Sequence, residues 1–163
     1  QHFWNVFVVD ALLGNFDRHN GNWGFLYNTA TDEIAIAPVY DCGSCLYPQA
    51  DEAIMRDTID KQPERDFRTF SIPLSSIKVN GKKINYFDFI SSLENADCNK
   101  ALKRILPKIN MDAIFRIVDE TPFISNLQKQ FYKTMLRTRK ERILDFAMEK
   151  LRKREKAKEL EAR

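Results

Sequence analysis

Phe3, Trp4, Phe7, Val8, Ala11 and Leu12 recur at the three- and four-residue spacing of a helix face, and Gly14 closes the run. The pattern predicts a buried amphipathic helix with a glycine stop. Residues 14–22 (GNFDRHNGN) are polar and rich in Gly and Asn, and they read as loop. Strands are predicted at 23–27 and 33–39, joined by the turn residues NTATD, which makes a hairpin. The stretch 44–74 is broken by Pro48, Pro63 and Pro73 and reads as irregular, with one short helix near 51–57. Asn80-Gly81, inside 77–84, is a strong hairpin signal. Helices are predicted over 86–95, 97–106, 111–120 and 126–155, punctuated by Pro107 and Pro122. Ser125 and Gln128 have the spacing of a capping box at the head of the last one. Beyond Leu151 the chain is almost wholly Lys, Arg, Glu and Ala, and 156–163 reads as a charged tail. The fold class is mainly α (α+β), and 1–155 reads as one domain.

Composition adds limits. A chain of 163 residues, 44% hydrophobic with twelve Phe, can bury one sizeable core. Its 26 basic and 23 acidic residues leave a net charge of only +3, so no strong field for nucleic acid or membrane is implied. The basic runs at 137–142 and 152–158 are interleaved with Glu141, Asp145, Glu149, Glu155 and Glu159, the pattern of a solvated helix with i,i+4 pairs. No apolar run approaches the ~18–20 residues of a membrane span. Three cysteines, an odd count, suit a reducing compartment, and a cytoplasmic location is expected. The chain enters its first helix directly at Gln1, as a piece of a longer protein would.

Phosphoryl transfer needs a carboxylate near the attacking oxygen and oxygen ligands that hold Mg²⁺ on the nucleotide phosphates. Protein kinases supply these with Asp-x-x-x-x-Asn in one loop and a second Asp at the start of Asp-Phe-Gly. Asp17-Arg-His-Asn-Gly-Asn22 has the first spacing, and Asp41-Cys42-Gly43 has the second with Cys in place of Phe. The intervening hairpin would carry Asn22 away from the loop and return Asp41 beside it, as two ligands of one metal require. One amide and one carboxylate oxygen suit Mg²⁺, which keeps water and phosphate for its other sites.

The run Gly14-Asn-Phe-Asp-Arg-His-Asn-Gly-Asn22, followed by Ala37-Pro-Val-Tyr-Asp41, resembles the catalytic core of the HipA-like serine/threonine kinases, in the branch of CtkA-type proteins. The resemblance is specific over about residues 3–45. It implies a helical kinase-like C-terminal lobe, with a small β-hairpin following the catalytic loop and a second short hairpin near 77–84. It also implies that Asp17 is the catalytic base, that Asn22 and Asp41 bind Mg²⁺ and ATP, and that His19 lies by the phosphates or braces the loop. The substrate would be a protein hydroxyl, and an antitoxin-like or N-lobe partner is implied. Gly21 departs from the Lys that the family tends to place before the metal-binding Asn.

A nucleotide cradle is missing. Gly14, Gly21, Gly24, Gly43 and Gly81 form neither Gly-x-Gly-x-x-Gly nor a Walker loop. A C-terminal lobe without its N-terminal nucleotide-binding lobe is therefore expected, inactive on its own.

Other residues carry two readings each. His19 could share a proton with Asp17 or bond the loop's own backbone. Arg18 could meet a phosphate or, as favoured here, pair with a carboxylate such as Asp41. Cys42-Gly-Ser-Cys45 could begin a zinc site but lacks obvious further ligands beyond His2, His19 and Cys98, so two reduced cysteines in a turn is the favoured reading. Two other functions stay open: a phosphoinositide-kinase-like fragment, since Asp-Arg-His-Asn-Gly-Asn resembles that loop, and a non-catalytic regulatory or binding module. The lipid reading is weakened by residues 41–55, which contain no Lys or Arg to meet a headgroup.

Overall fold

A computed structural model describes residues 1–162. Helix α1 (His2–Leu13) ends as its glycine requires: Gly14 takes φ 66°, ψ 40°, a left-handed cap. After the polar loop, strands β1 (Phe25–Asn28) and β2 (Glu33–Ile36) pair antiparallel, Phe25 opposite Ile36 and Asn28 opposite Glu33. Both strands are shorter than the sequence pattern suggests, and every residue of both is exposed.

The stretch 44–74 is more ordered than its prolines suggest. Helix α2 (Glu52–Asp60) begins on Asp51, whose carboxylate accepts the Ile54 N–H at 2.8 Å. Helix α3 (Gln62–Asp66) follows, with Pro63 in its first turn, where a missing N–H costs nothing. A π turn (Phe67–Ser71) leads to strands β3 (Leu74–Val79) and β4 (Lys82–Asn85), joined through Asn80-Gly81, both at positive φ.

Helices α4 (Tyr86–Ser92), α5 (Ala96–Ile105) and α6 (Met111–Glu120) come next. Helix α4 stops three residues before its predicted end, because Leu93 turns left-handed at φ 61°. Helix α7 (Asn126–Arg139) carries the predicted capping box, Ser125 with Gln128. It passes through a π-helical segment (Lys140–Asp145) into α8 (Phe146–Glu161). Helix thus extends into the charged stretch 156–163, of which residue 163 lies outside the described residues.

The core forms where α1 packs on α5, the end of α7 and the π segment, with Phe7, Val8, Leu102, Leu136 and Leu144 buried. Arg139 is buried among them, 1% exposed. Its Nε donates to the Ala11 carbonyl at 2.7 Å, and its Nη1 donates to Tyr47 Oη and to the carbonyls of Arg68 and Thr69 at 3.0–3.2 Å. One guanidinium therefore ties α1, the segment after Asp41, the first π turn and α7 together. The basic-run reading of 137–142 as solvated fails at this residue. The fork of donors reaches backbone carbonyls that local sequence does not announce.

Candidate active site

The site is built on the end of α1. Asp10 is the one acidic residue of a mostly apolar helix and is buried. Its carboxylate accepts Arg18 Nε at 3.0 Å and Nη2 at 3.1 Å, and also Asn15 Nδ2 at 3.0 Å. Arg18 and Asn15 are buried as well, so the ion pair is fully partnered within the protein. The bond to Asp10 raises the Arg18 pKa further, fixing its charge.

This pair anchors both halves of the site. Asn15 Oδ1 accepts the Asp17 N–H at 3.0 Å, and the Asn15 carbonyl accepts Tyr86 Oη at 2.6 Å. Arg18 Nη1 donates to the Tyr40 carbonyl at 2.6 Å, and the Asp41 carbonyl lies 3.5 Å away. The carboxylate that Arg18 pairs with is therefore Asp10 and not Asp41. Asp41 is reached through its backbone instead, because the guanidinium fork is already filled by the nearer carboxylate.

The loop closes on itself. His19 Nδ1 accepts the Gly21 N–H at 3.0 Å, and Asn22 Oδ1 accepts the His19 N–H at 3.1 Å around a 3₁₀ turn, Asn20–Asn22. A Cβ on Gly21 would lie 2.9 Å from His19 Cε1, so glycine here lets the imidazole fold back over the turn. Tyr40 Oη donates to the Gly21 carbonyl at 3.0 Å.

Across the hairpin, Asn22 Nδ2 donates to Asp41 Oδ2. Asp41 sits at φ 55°, a left-handed conformation costly for an aspartate away from a turn or site. The structure thus brings Asn22 and Asp41 side chain to side chain. Asp17 stands in the same loop, half exposed, with His19 Nε2 at 3.9 Å from its carboxylate. The Asp41 carboxylate meets the Asn22 amide, whose Nδ2 faces it while Oδ1 accepts the His19 N–H. Among the described residues no three or more His, Cys, Asp or Glu side chains are grouped in a metal-holding arrangement. All three cysteines are free thiols.

Asp10, Asn15 and Arg139 were not legible as parts of the site's support. Asp10 breaks the apolar face of its helix, and that lone charge is the one signal that pointed inward.

Over 146 residues the chain is 51% identical to the serine/threonine-protein kinase CtkA of Helicobacter pylori strain J99, a match covering 89% of this chain and 45% of that protein. The chain therefore spans about half the length of the curated relative it matches. A crystal structure of a Helicobacter pylori proinflammatory kinase CtkA superposes with a TM-score of 0.86 and 51% identity, covering 90% of this chain and 54% of that one. The kinase-like fold is shared at that level. No family model matches the chain. Among the described residues no helix is long and apolar enough to cross a membrane.

Proposed function

We propose that residues 1–155 are the C-terminal lobe of an ATP- and Mg²⁺-dependent serine/threonine kinase of the HipA-like group, which transfers the γ-phosphoryl group to a protein hydroxyl. One observation carries the reading. Asn22 and Asp41, separated by the hairpin, bond side chain to side chain beside the loop that holds Asp17. The likeness to CtkA supports it.

The donor set fits magnesium. With the Asn22 amide turned so that Oδ1 faces Asp41, two hard oxygens would leave the other positions of an octahedron to water and phosphate; as the side chain stands, Nδ2 faces Asp41 and Oδ1 accepts the His19 N–H. A magnesium ion bound there would neutralise charge on the phosphate oxygens. Asp17, with its side chain half exposed, orients the substrate hydroxyl and accepts its proton. His19 braces the turn through Nδ1, and its Nε2, the protonated nitrogen of that tautomer, stands 3.9 Å from the Asp17 carboxylate as a donor on that side. The buried Asp10–Arg18 pair holds both strands of this arrangement in register.

The nucleotide-gripping residues belong to another lobe, and β1–β2 is where we place its contact. A two-stranded hairpin with both faces in water is marginal alone. Here Phe25 is 75% and Ile34 70% exposed. Three free thiols fit a reducing, cytoplasmic setting.

In the full-length protein, Asp17→Ala is expected to lower transfer of labelled phosphate from ATP to a protein substrate by about 100-fold or more. Unchanged transfer would overturn the assignment. Residues 1–163 alone are expected to transfer nothing measurable.

A further inference from the structure

The segment that leaves Asp41 carries a pair of thiols that the reaction does not use. Cys45 N–H donates to the Cys42 carbonyl at 3.0 Å, closing a tight turn. Such a turn holds its first and fourth Cα atoms within about 7 Å, inside the range a disulfide spans. Cys42 is exposed and Cys45 is half-buried beneath it, whereas Cys98 is sealed in the core at 2% exposure. Arg18 Nη2 lies 3.6 Å from Cys42 Sγ, placing a permanent cation against the exposed sulfur. A cavity of about 270 Å³, with apolar walls that include Val6, Val9 and Ile105, opens onto the same sulfur. An exposed cysteine with a second cysteine across one tight turn is the arrangement in which a sulfenic acid condenses to a disulfide.

We propose that Cys42 and Cys45 form a reversible disulfide on exposure to hydrogen peroxide, and that closing it displaces Asp41. In the first step the Cys42 sulfur attacks one peroxide oxygen. The O–O bond breaks, the other oxygen leaves as water after taking a proton, and the sulfur becomes a sulfenic acid. Next the Cys45 sulfur attacks the Cys42 sulfur. The S–S bond forms, the S–O bond breaks, and the oxygen leaves as water with the thiol proton. Two electrons pass from the thiol pair to the peroxide.

The consequence follows from the shared backbone. Cys42 Sγ must turn from Arg18 towards Cys45, and residue 42 is bonded directly to Asp41, whose left-handed φ of 55° leaves little freedom. The guanidinium loses a contact on the side where it also touches the Tyr40 and Asp41 carbonyls. This consequence rests on the kinase reading of Asp41, while the disulfide itself does not.

The test begins with the reduced protein, treated with a few equivalents of hydrogen peroxide, after which free thiols are alkylated. Peptide mass mapping is expected to find Cys42 and Cys45 joined with the loss of two hydrogens, and Cys98 alkylated. In Cys45→Ser the bond is expected to be absent. All three thiols alkylated in the wild type, or a bond that joins two molecules or involves Cys98, overturns the disulfide. In the full-length protein, oxidation is expected to lower phosphoryl transfer roughly tenfold or more, with recovery in dithiothreitol. A mapped disulfide with undiminished transfer overturns its coupling to Asp41. No transfer from the reduced full-length protein counts against the kinase reading and leaves the thiol result standing.

Discussion

Arg18 lies bidentate on Asp10, Nε and Nη2 at 3.0 and 3.1 Å from the two carboxylate oxygens, with both side chains almost wholly shielded from water. Breaking one side leaves a buried charge without its counterion, which costs about 3–5 kcal/mol. Asp10→Ala is therefore expected to lower stability by that amount in denaturant unfolding. Arg18→Lys keeps the charge but loses the fork that spans Asp10 and Tyr40. It is expected to cost about 1–3 kcal/mol and to lower activity of the full-length protein further than its stability loss explains.

Arg139 makes a similar point in the core. Its acceptors are carbonyls and one hydroxyl, and among its bonds no carboxylate appears. Arg139→Met removes the charge and takes the guanidinium donors from the Ala11 and Thr69 carbonyls, at about 3 kcal/mol or more, while the Arg68 carbonyl keeps its bond from Tyr47 Oη. Hydrogen exchange is expected to rise first around Tyr47 and 67–71, the segments it ties down.

Cys98 gives the stability a pH dependence. Burial pushes its thiol up to about 12 from an ordinary 9.0. The folded state holds the proton where the unfolded state releases it. The contribution is thus full below about 9 and is lost as pH rises towards 12, by at most about 1.4 kcal/mol per pH unit. The alkaline fall in the denaturation midpoint is expected to be shallower in Cys98→Ala than in the wild type.

The exposed hairpin predicts a difference between fragment and whole. Amides of β1 and β2 are expected to exchange rapidly in residues 1–163 and, on the proposal that a second lobe covers Phe25 and Ile34, to be protected in the full-length protein. Equal exchange in both would remove the hairpin from the lobe contact.

Local chemistry made part of this legible in sequence. Gly14 needs a left-handed φ, Asn80-Gly81 a tight turn and Ser125-Gln128 a cap, and each is settled by its neighbours alone. The order Asp17, Asn22, hairpin, Asp41 could be read because its turn residues fix where the chain doubles back. The missed features all depend on distant partners. Arg139 Nε finds its acceptor at Ala11, 128 residues away, and the Asn15 carbonyl finds its donor at Tyr86, 71 residues away. The prolines of 44–74 suggest irregular backbone, yet Pro63 falls in a helix's first turn, a position that a composition count does not distinguish.

Asp41 is the residue on which the proposed metal site depends. Manganese binding to the full-length protein in the presence of ATP, followed by electron paramagnetic resonance, tests it most directly. Asp41→Ala is expected to weaken Mn²⁺ binding by about tenfold to 100-fold, and Asp17→Ala to leave it nearly unchanged. Wild-type Mn²⁺ affinity in Asp41→Ala would contradict the account.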